Sequence, residues 1–321
     1  MTPLQISVLK ALENRNGSYI SGEQLAGELE VSRTAVMKAV HSLRNQGYSI
    51  SSVRRLGYKL DRAPDQLNAE TIRDLLMHSG FNVDVHAYKT IDSTNNEGKR
   101  LAHNLKKPLL LLAEEQTMGR GRQGHSFYSP ASTGLYMTIV VPSSLPLETI
   151  ALCTQAMAVA AYRAVTASGG PELSIKWVND LYLGEKKTAG ILTEAVTDLE
   201  TMRATAVVCG IGLNLTTLQF PDDIMNKAGS IGALDRNSLA AGITSHFLAL
   251  FKELPDTSGW LKTYKERSLV LHKKLSFSMN GKEYQAVGKE IDDQGRLIVE
   301  LEDRSEVTLS SGEISIIPSF S

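Results

Sequence analysis

The chain has 321 residues, of which 42% are hydrophobic, and a formal net charge of −1. This length is enough for two or three domains with sizeable cores. No apolar run approaches the ~18 residues of a membrane span and the N-terminus lacks a signal-peptide pattern, so we expect no membrane contact and a cytoplasmic location. Cys153 and Cys209 lack metal-type spacing, and we expect them to be reduced core residues.

The small net charge conceals a basic N-terminal region. Residues 1–62 carry nine Lys/Arg and five Asp/Glu, and residues 31–60 carry six basic residues and no acid. The rest of the chain is mildly acidic. This asymmetry indicates that only the N-terminal unit contacts a polyanion.

Two short helices joined by a tight turn are predicted in this region. Ser21 and Gln24 form a capping box at the start of the first helix. Ser32 can cap the second helix, which has one apolar stripe and should end at Gly47. The pattern predicts a helix-turn-helix, and the β-forming segment around residues 54–59 predicts a basic hairpin, the wing of a winged helix.

The basic side chains of this unit fall into two sets. We expect the second helix to read base edges with Arg33, Thr34 and Lys38. We expect the wing to contact phosphates with Arg54, Arg55 and Lys59. The alternative is a small protein-docking domain with solvated charges, which the absence of acids disfavours. The unit should span residues 1–63, with a boundary at Ala63-Pro64-Asp65.

The central unit, residues 68–267, alternates helices with strands. Helices are predicted after Ser93 and at Ala69–His78, Ile150–Ala167 and Leu239–Leu254. Strands are predicted at Val83–Tyr88, Leu109–Ala113, Leu135–Val141, Leu173–Val178, Thr188–Val196 and Thr205–Gly210. This order indicates an α+β fold with a mixed sheet and helices on one face.

A glycine-arginine loop, Gly119-Arg120-Gly121-Arg122-Gln123-Gly124, follows one of these strands. Glycines let successive N–H groups converge on an anion, and arginines add forked donors for carboxylate or phosphate oxygens. The glycine spacing matches a dinucleotide fingerprint, but the helix that this fingerprint requires does not follow. We therefore predict a loop that holds a small anion. A basic surface turn is the alternative.

Three further polar segments interrupt the apolar scaffold: Asp92-Ser93-Thr94-Asn95, Lys176-Trp177-Val178-Asn179-Asp180 and Lys186-Lys187-Thr188-Ala189-Gly190. Taken singly, they are a helix cap, a hairpin turn at the Asn-Asp pair and a solvated strand end. Gly190 can also leave room for a ligand or another backbone. Together with the loop, they favour chemistry that joins a carboxylate to a phosphate.

These motifs, with Gly210-Ile211-Gly212-Leu213-Asn214, resemble those of the biotin protein ligases in order and spacing. The leading winged helix resembles the bifunctional form, which is also the biotin operon repressor, so the resemblance covers essentially the whole chain. It implies that biotin and MgATP form biotinyl-5′-adenylate and that biotin passes to a lysine of a biotin carboxyl carrier protein, of acetyl-CoA or pyruvate carboxylase. It also implies binding to operator DNA and a homodimer that forms on adenylate binding.

The resemblance assigns roles to individual residues. For biotin they are Ser93, Thr94, Asn95, Gln116, Arg120, Gly121, Arg122, Trp177, Lys187 and Gly190. For the nucleotide they are Arg122, Phe127, Lys176, Asn179, Asp180 and Asn214. Lys187, Arg120 and Arg122 are the expected catalytic cations, since two anions must meet. Asp180 is the expected Mg²⁺ ligand.

The sequence departs from the family pattern in places. His125 and Phe127 stand where a well-known enterobacterial member carries Arg and Trp, so how tightly the adenylate is retained stays open. Val178 replaces a common proline. The alternative functions are a transcription factor that senses biotin without catalysis, and a lipoate ligase. The intact cations disfavour the first, and the loop and winged helix favour biotin over lipoate.

The C-terminal unit, residues 268–321, reads as a β-meander. Strands are predicted at Lys274–Met279, Lys282–Asp292, Arg296–Glu302 and within Ser305–Ile317, and Asn280-Gly281 is a strong hairpin signal. The pattern predicts a small SH3-like barrel. Contact with ATP and the carrier protein, or a purely structural cap, are equally open roles.

Overall fold

The computed structural model describes residues 2–15, 17–45, 48–62, 66–198, 200, 203–279 and 281–317. The chain divides into two compact units, Met1–Asp65 and Gln66–Ser321. The predicted helix end at Gly47, the boundary at residues 63–65 and Asn280 of the predicted turn lie outside the described residues.

The first unit is a three-helix core with a hairpin. Its elements are α1 (Pro3–Glu13), α2 (Gly22–Glu28), α3 (Arg33–Asn45), β1 (Ser49–Val53) and β2 (Gly57–Arg62), with β1 and β2 antiparallel. Ser21 Oγ accepts from Gln24 N at 3.0 Å and Ser32 Oγ from Ala35 N at 3.1 Å. Both predicted N-caps are confirmed, but in the described residues the predicted capping box has only its bond from Gln24 N to Ser21 Oγ. Helix α1 was not predicted, and its buried side chains complete the small core.

The second unit contains a seven-stranded sheet. Its strands are β3 (Asp84–Tyr88), β4 (Leu109–Ala113), β5 (Gly134–Pro142), β6 (Ser174–Lys176), β7 (Asp180–Leu183), β8 (Lys186–Asp198) and β9 (Arg203–Asn214). The order is β3-β4-β5-β9-β8-β7-β6. Strands β3 and β4 are parallel, and the other neighbours are antiparallel. The turn predicted at Asn179-Asp180 is instead formed by residues 177–179, because Asp180 pairs with Lys176 and begins β7.

Helices α4 (Ala69–His78), α5 (Thr94–Leu101), α6 (Ile150–Ala167) and α7 (Arg236–Glu253) contact strands of this sheet, and α8 (Leu261–Glu266) contacts α6. Leu110 and Leu112 of β4 join the large core that contains α6. Leu109 and Leu111 instead face the side of α5. The expectation of helices on one face is therefore wrong for α5, which approaches closely because Gly98 lacks a side chain.

Helix α6 forms the centre of the large core. The stretch Leu147–Ala167 is long and apolar enough to cross a membrane, and no other helix in the described residues passes this test. However, 72% of that window is buried inside the protein. It is therefore explained as the core helix of a folded domain.

The C-terminal strands form a second, five-stranded antiparallel sheet in the order β13-β12-β11-β10-β14. They are β10 (Lys274–Met279), β11 (Lys282–Ile291), β12 (Leu297–Leu301), β13 (Glu306–Leu309) and β14 (Ile314–Ile316), in agreement with the predicted SH3-like arrangement. Phe277, Leu297 and Val299 belong to the same core cluster as α6. The second sheet therefore shares a core with the seven-stranded sheet.

Candidate active site

Two adjoining cavities contain all of the predicted biotin and nucleotide residues. The larger has a volume of about 390 Å³ and is lined by Arg120, Gly121, Arg122, Phe127, Lys176, Trp177, Asn179, Asp180, Lys187, Gly190 and Asn214, among others. The smaller, about 20 Å³, is lined by Ser93, Thr94, Asn95 and Gln116 and shares Arg120, Phe127 and Gly190 with the first. Residues that are far apart in the sequence therefore meet at one site.

The larger cavity concentrates positive charge. Lys187 Nζ lies 2.8 Å from Asp180 Oδ1, and Lys227 also lines the cavity. Arg122 Nη1 donates to Asn179 Oδ1 at 3.1 Å and to the Gly312 carbonyl at 3.3 Å. A phosphate-bearing ligand in this cavity would meet several cations at once.

The ammonium of Lys176 is partly desolvated. Burial lowers its pKa, and the neighbouring charges of Lys187 and Lys227 act in the same direction, whereas Asp180 and Glu313 oppose them. A further negative charge from a ligand would therefore favour the charged form of this lysine.

Two polar side chains of this cavity bear on nucleotide and metal binding. Asn214 is buried; its Nδ2 donates to the Gly229 carbonyl, and its Oδ1 has no hydrogen-bond partner among the described residues. Asp180 is already paired with Lys187. The described residues hold no group of three or more His, Cys, Asp or Glu that could bind a metal. Asp180 supplies a carboxylate oxygen, the type of donor that a Mg²⁺ ion held mainly by phosphate oxygens takes from a protein.

The smaller cavity is built from a continuous polar network. Gln116 Oε1 accepts from Thr94 N at 2.9 Å and from Thr94 Oγ1 at 3.1 Å. Gln116 Nε2 donates to Ser129 Oγ at 2.9 Å, and Thr138 Oγ1 lies 2.7 Å from both Thr94 Oγ1 and Asn95 Oδ1. Ser93 caps α5. The helix-cap interpretation is therefore correct, and the capped turn also faces a cavity.

Glycines on β8 and β9 line the cavities: Gly190 lines both, and Gly210 and Gly212 line the smaller one. A Cβ at Gly212 would lie 2.3 Å from the Phe127 ring, and one at Gly210 would lie 1.8 Å from Asn95 Oδ1. A Cβ at Gly190 would touch the same ring at 3.4 Å. The contact at Gly190 is of ordinary van der Waals length, so the close approach predicted there is found instead at Gly210 and Gly212.

The two loop arginines point to different neighbours. Whereas Arg122 reaches Asn179, Arg120 Nη1 donates to Asn96 Oδ1 at 3.0 Å and lies 3.5 Å from Glu194 Oε1. Arg120 lines both cavities, but its charge is already partly neutralised.

Trp177 is connected to the C-terminal sheet as well as to the cavity. It is buried, and its Nε1 donates to the Gly295 carbonyl at 3.0 Å. The segment Gly312–Ser315 also lines the larger cavity. The C-terminal unit therefore lines the candidate site, while its contact with ATP and the carrier protein stays a prediction.

Sequence reasoning missed a group of lining residues: Tyr128, Tyr182, Phe220, Ile224, Lys227 and Glu313. Most belong to loops without hydrophobic periodicity or to the C-terminal unit. It also missed Glu194, which lines neither cavity but lies 3.5 Å from Arg120. The sequence analysis uses the glycines of the segment 210–214 only as part of a motif. Two closely spaced glycines in a strand are also a signal that a ligand or another part of the chain approaches the strand closely.

The predicted DNA-contacting residues lie in the first unit. Arg33, Thr34 and Lys38 are exposed on α3, and Arg54 and Arg55 are exposed in the turn between β1 and β2. Lys59 is half-buried and lies over the Tyr19 ring.

Comparison with known families agrees with this geometry. Residues 87–214 match the biotin/lipoate A/B protein ligase family, residues 5–59 match an HTH domain, and residues 279–316 match the biotin protein ligase C-terminal domain. A biotin protein ligase from Aquifex aeolicus, solved with biotin and ATP, shares the fold with a TM-score of 0.61 and 21% identity over 73% of this chain and 99% of that one.

Two full-length relatives extend the comparison to the first unit. The bifunctional ligase/repressor BirA of Bacillus spizizenii is 30% identical over 94% of this chain and 95% of its own length. BirA of Escherichia coli is 30% identical over 98% and 97%. The chain therefore belongs to the biotin protein ligase family, in the group whose members join a ligase to an N-terminal DNA-binding domain. A sensor without ligase activity and a lipoate ligase are not favoured.

Proposed function

We propose that the chain activates biotin with MgATP and transfers it to one lysine of a biotin carboxyl carrier protein. The observation that carries this proposal is the junction of the two cavities. A small polar pocket with Thr94 and Gln116 opens beside a larger one with Arg122, Lys176 and Lys187. This arrangement suits a molecule with a polar ring at one end and a carboxylate that meets a phosphate at the other.

In the first step, a carboxylate oxygen of biotin attacks the α-phosphorus of ATP. The new P–O bond forms as the bond to the bridging oxygen breaks and pyrophosphate leaves. Lys187 and Arg122 would offset the repulsion between the two anions, and Lys176 would face the polyphosphate. Asn214 Oδ1, which lacks a partner among the described residues, would accept a hydrogen bond from the ribose.

In the second step, the neutral amine of the carrier lysine attacks the acyl carbon of the adenylate. The C–O bond to phosphate breaks, AMP leaves with its electron pair, and the amine loses a proton to solvent. No enzyme nucleophile is needed for this route. Mg²⁺ would be held by the ATP oxygens with Asp180 as one protein ligand, which requires Asp180 to exchange its contact with Lys187.

The Phe127 ring must move when biotin binds. The smaller cavity has room for about one water molecule, and the ring lies directly against Gly212. A bicyclic ring fits between Thr94 and Gly212 only when the Phe127 side chain has swung outward. The same ring would then cover the ligand from above.

We also propose that the first unit binds operator DNA as a biotin-responsive repressor and that adenylate binding promotes a homodimer. The exposed cations of α3 and of the β1–β2 turn support DNA contact. Two copies in a dimer would match a two-fold operator. Both cysteines are free and buried, which fits the proposed cytoplasmic location.

The test uses the purified full-length protein with biotin and MgATP. Release of pyrophosphate, biotinyl-adenylate in the mass spectrum of the protein, and a biotin mass increment on an added carrier domain are the expected results. Activity on octanoate or lipoate, with none on biotin, would contradict the substrate assignment. Biotin binding without pyrophosphate release would support a sensor instead.

A further inference from the structure

Glu194 joins three elements that surround the smaller cavity. It lies on β8, and its Oε1 is 2.8 Å from Lys99 Nζ of α5 and 3.5 Å from Arg120 of the glycine-arginine loop. Its Oε2 accepts from Asn95 Nδ2 at 3.0 Å. One carboxylate therefore ties the loop and the start of α5 to the sheet.

The side chain is 21% exposed. Burial tends to raise the pKa of Glu194, but hydrogen bonds from Lys99 and Asn95 and the nearby charge of Arg120 outweigh it, so the pKa is lowered. The carboxylate is thus ionised at neutral pH and shares its charge between two cations. Charge-assisted contacts of this kind are stronger than neutral hydrogen bonds.

Two arginines of the glycine-arginine loop contact neighbouring elements on opposite sides of the loop. Arg122 is attached to Asn179 and the Gly312 carbonyl, on the side of the larger cavity. Arg120 is attached to Asn96 and Glu194, on the side of α5. Asn96 accepts a hydrogen bond from Arg120 at 3.0 Å, and Glu194 adds the contact between opposite charges at 3.5 Å.

We propose that Glu194 is a positioning residue that holds Arg120 and Asn95 and so folds the glycine-arginine loop over the smaller cavity before ligand binds. Its effect on the loop does not depend on the ligand's identity. Its effect on biotin affinity rests on the proposed function, because a loop that is already folded costs less to order when biotin binds.

The loop effect can be measured by limited proteolysis of the full-length protein without ligand. Opening of the loop makes the peptide bonds after Arg120 and Arg122 more accessible to trypsin, and intact mass spectrometry identifies these products. We expect Glu194→Gln to accelerate this cleavage about fivefold. The matched control is Glu97→Gln, because Glu97 is 20% exposed and pairs with Arg100 of α5. Cleavage in this control should stay within about twofold of wild type.

A second variant distinguishes the positioning of Arg120 by Glu194 from a general destabilisation of α5. Lys99→Met removes the competitor for Glu194 and leaves the carboxylate to Arg120, so cleavage should be unchanged or slower. If Lys99→Met accelerates cleavage as much as Glu194→Gln does, or if Glu194→Gln is cleaved like wild type, the proposal is wrong. Urea unfolding of each variant shows whether the fold is intact.

Steady-state kinetics test whether Glu194 affects biotin binding. Glu194→Gln should raise KM for biotin about fivefold and leave kcat within about twofold, since it removes a contact made before the chemical step. A loss confined to kcat would contradict the assigned role. If wild type releases no pyrophosphate with biotin, the proposed function fails, and the cleavage comparison alone decides the role of Glu194.

Discussion

Replacing Lys187 by Ala tests the electrostatic basis of the proposed reaction. Lys187 lies at the start of β8, lines the larger cavity and is 2.8 Å from Asp180. The side chains of Lys187 and Asp180 are 37% and 16% exposed. Lys187→Ala therefore removes a cation from the reacting centre and leaves a largely buried carboxylate without its partner.

The expected loss can be worked from these contacts. An ammonium about 4 Å from a unit negative charge gains about 4 kcal/mol at an effective dielectric constant of about 20. If this gain is made mainly in the transition state, it corresponds to roughly a thousandfold in rate, at about 1.4 kcal/mol per factor of ten. The unpaired Asp180 would add repulsion toward the phosphates. The stability cost should be only about 1 kcal/mol, because the pair is partly solvated.

The assay is single-turnover formation of biotinyl-adenylate with excess protein and no carrier domain. Lys187→Ala should slow this step by about 10²- to 10³-fold. The control is Lys186→Ala, because Lys186 Nζ bonds the Asn226 carbonyl at 2.7 Å and does not line either cavity. A loss below about tenfold for Lys187→Ala, with normal biotin binding, would refute the argument that this ammonium stabilises the developing charge.

The remaining predictions concern the DNA-binding surface and the cysteines. Arg33→Ala should weaken operator binding by about 1–3 kcal/mol and relax preference at one base pair, whereas Arg54→Ala should lower the slope of log K against log salt by about one. Binding titrations at several salt concentrations check this, and equal slopes for wild type and Arg54→Ala would be inconsistent with a phosphate contact. Burial raises the pKa of Cys209 to about 12 and also raises that of Cys153, so both thiols stay protonated at pH 8 and Ellman's reagent should label them only in urea. Fast labelling of the native protein would show that one is accessible.

Local sequence determined the elements whose periodicity or caps are clear. Helices α4 and α6 and strands β4 and β10 have the bounds that the sequence predicted, because their apolar patterns are uninterrupted and end at polar caps or turns. Part of the cavity lining was also identifiable, since glycines, arginines and lysines in ordered motifs have few structural uses. Tyr128, Phe220 and Lys227 were not identifiable, because they lie in loops outside any motif. Their roles remain predictions.

Only the tertiary structure decided which partners these elements meet. The face of the sheet that α5 covers, the tie between Trp177 and Gly295, and the position of Glu194 beside Arg120 depend on contacts between residues far apart in the chain. A periodic pattern predicts that one side of a strand is buried, but it does not predict which residues pack against that side. These contacts form only when the sheet assembles, because register and packing bring distant side chains within hydrogen-bonding distance.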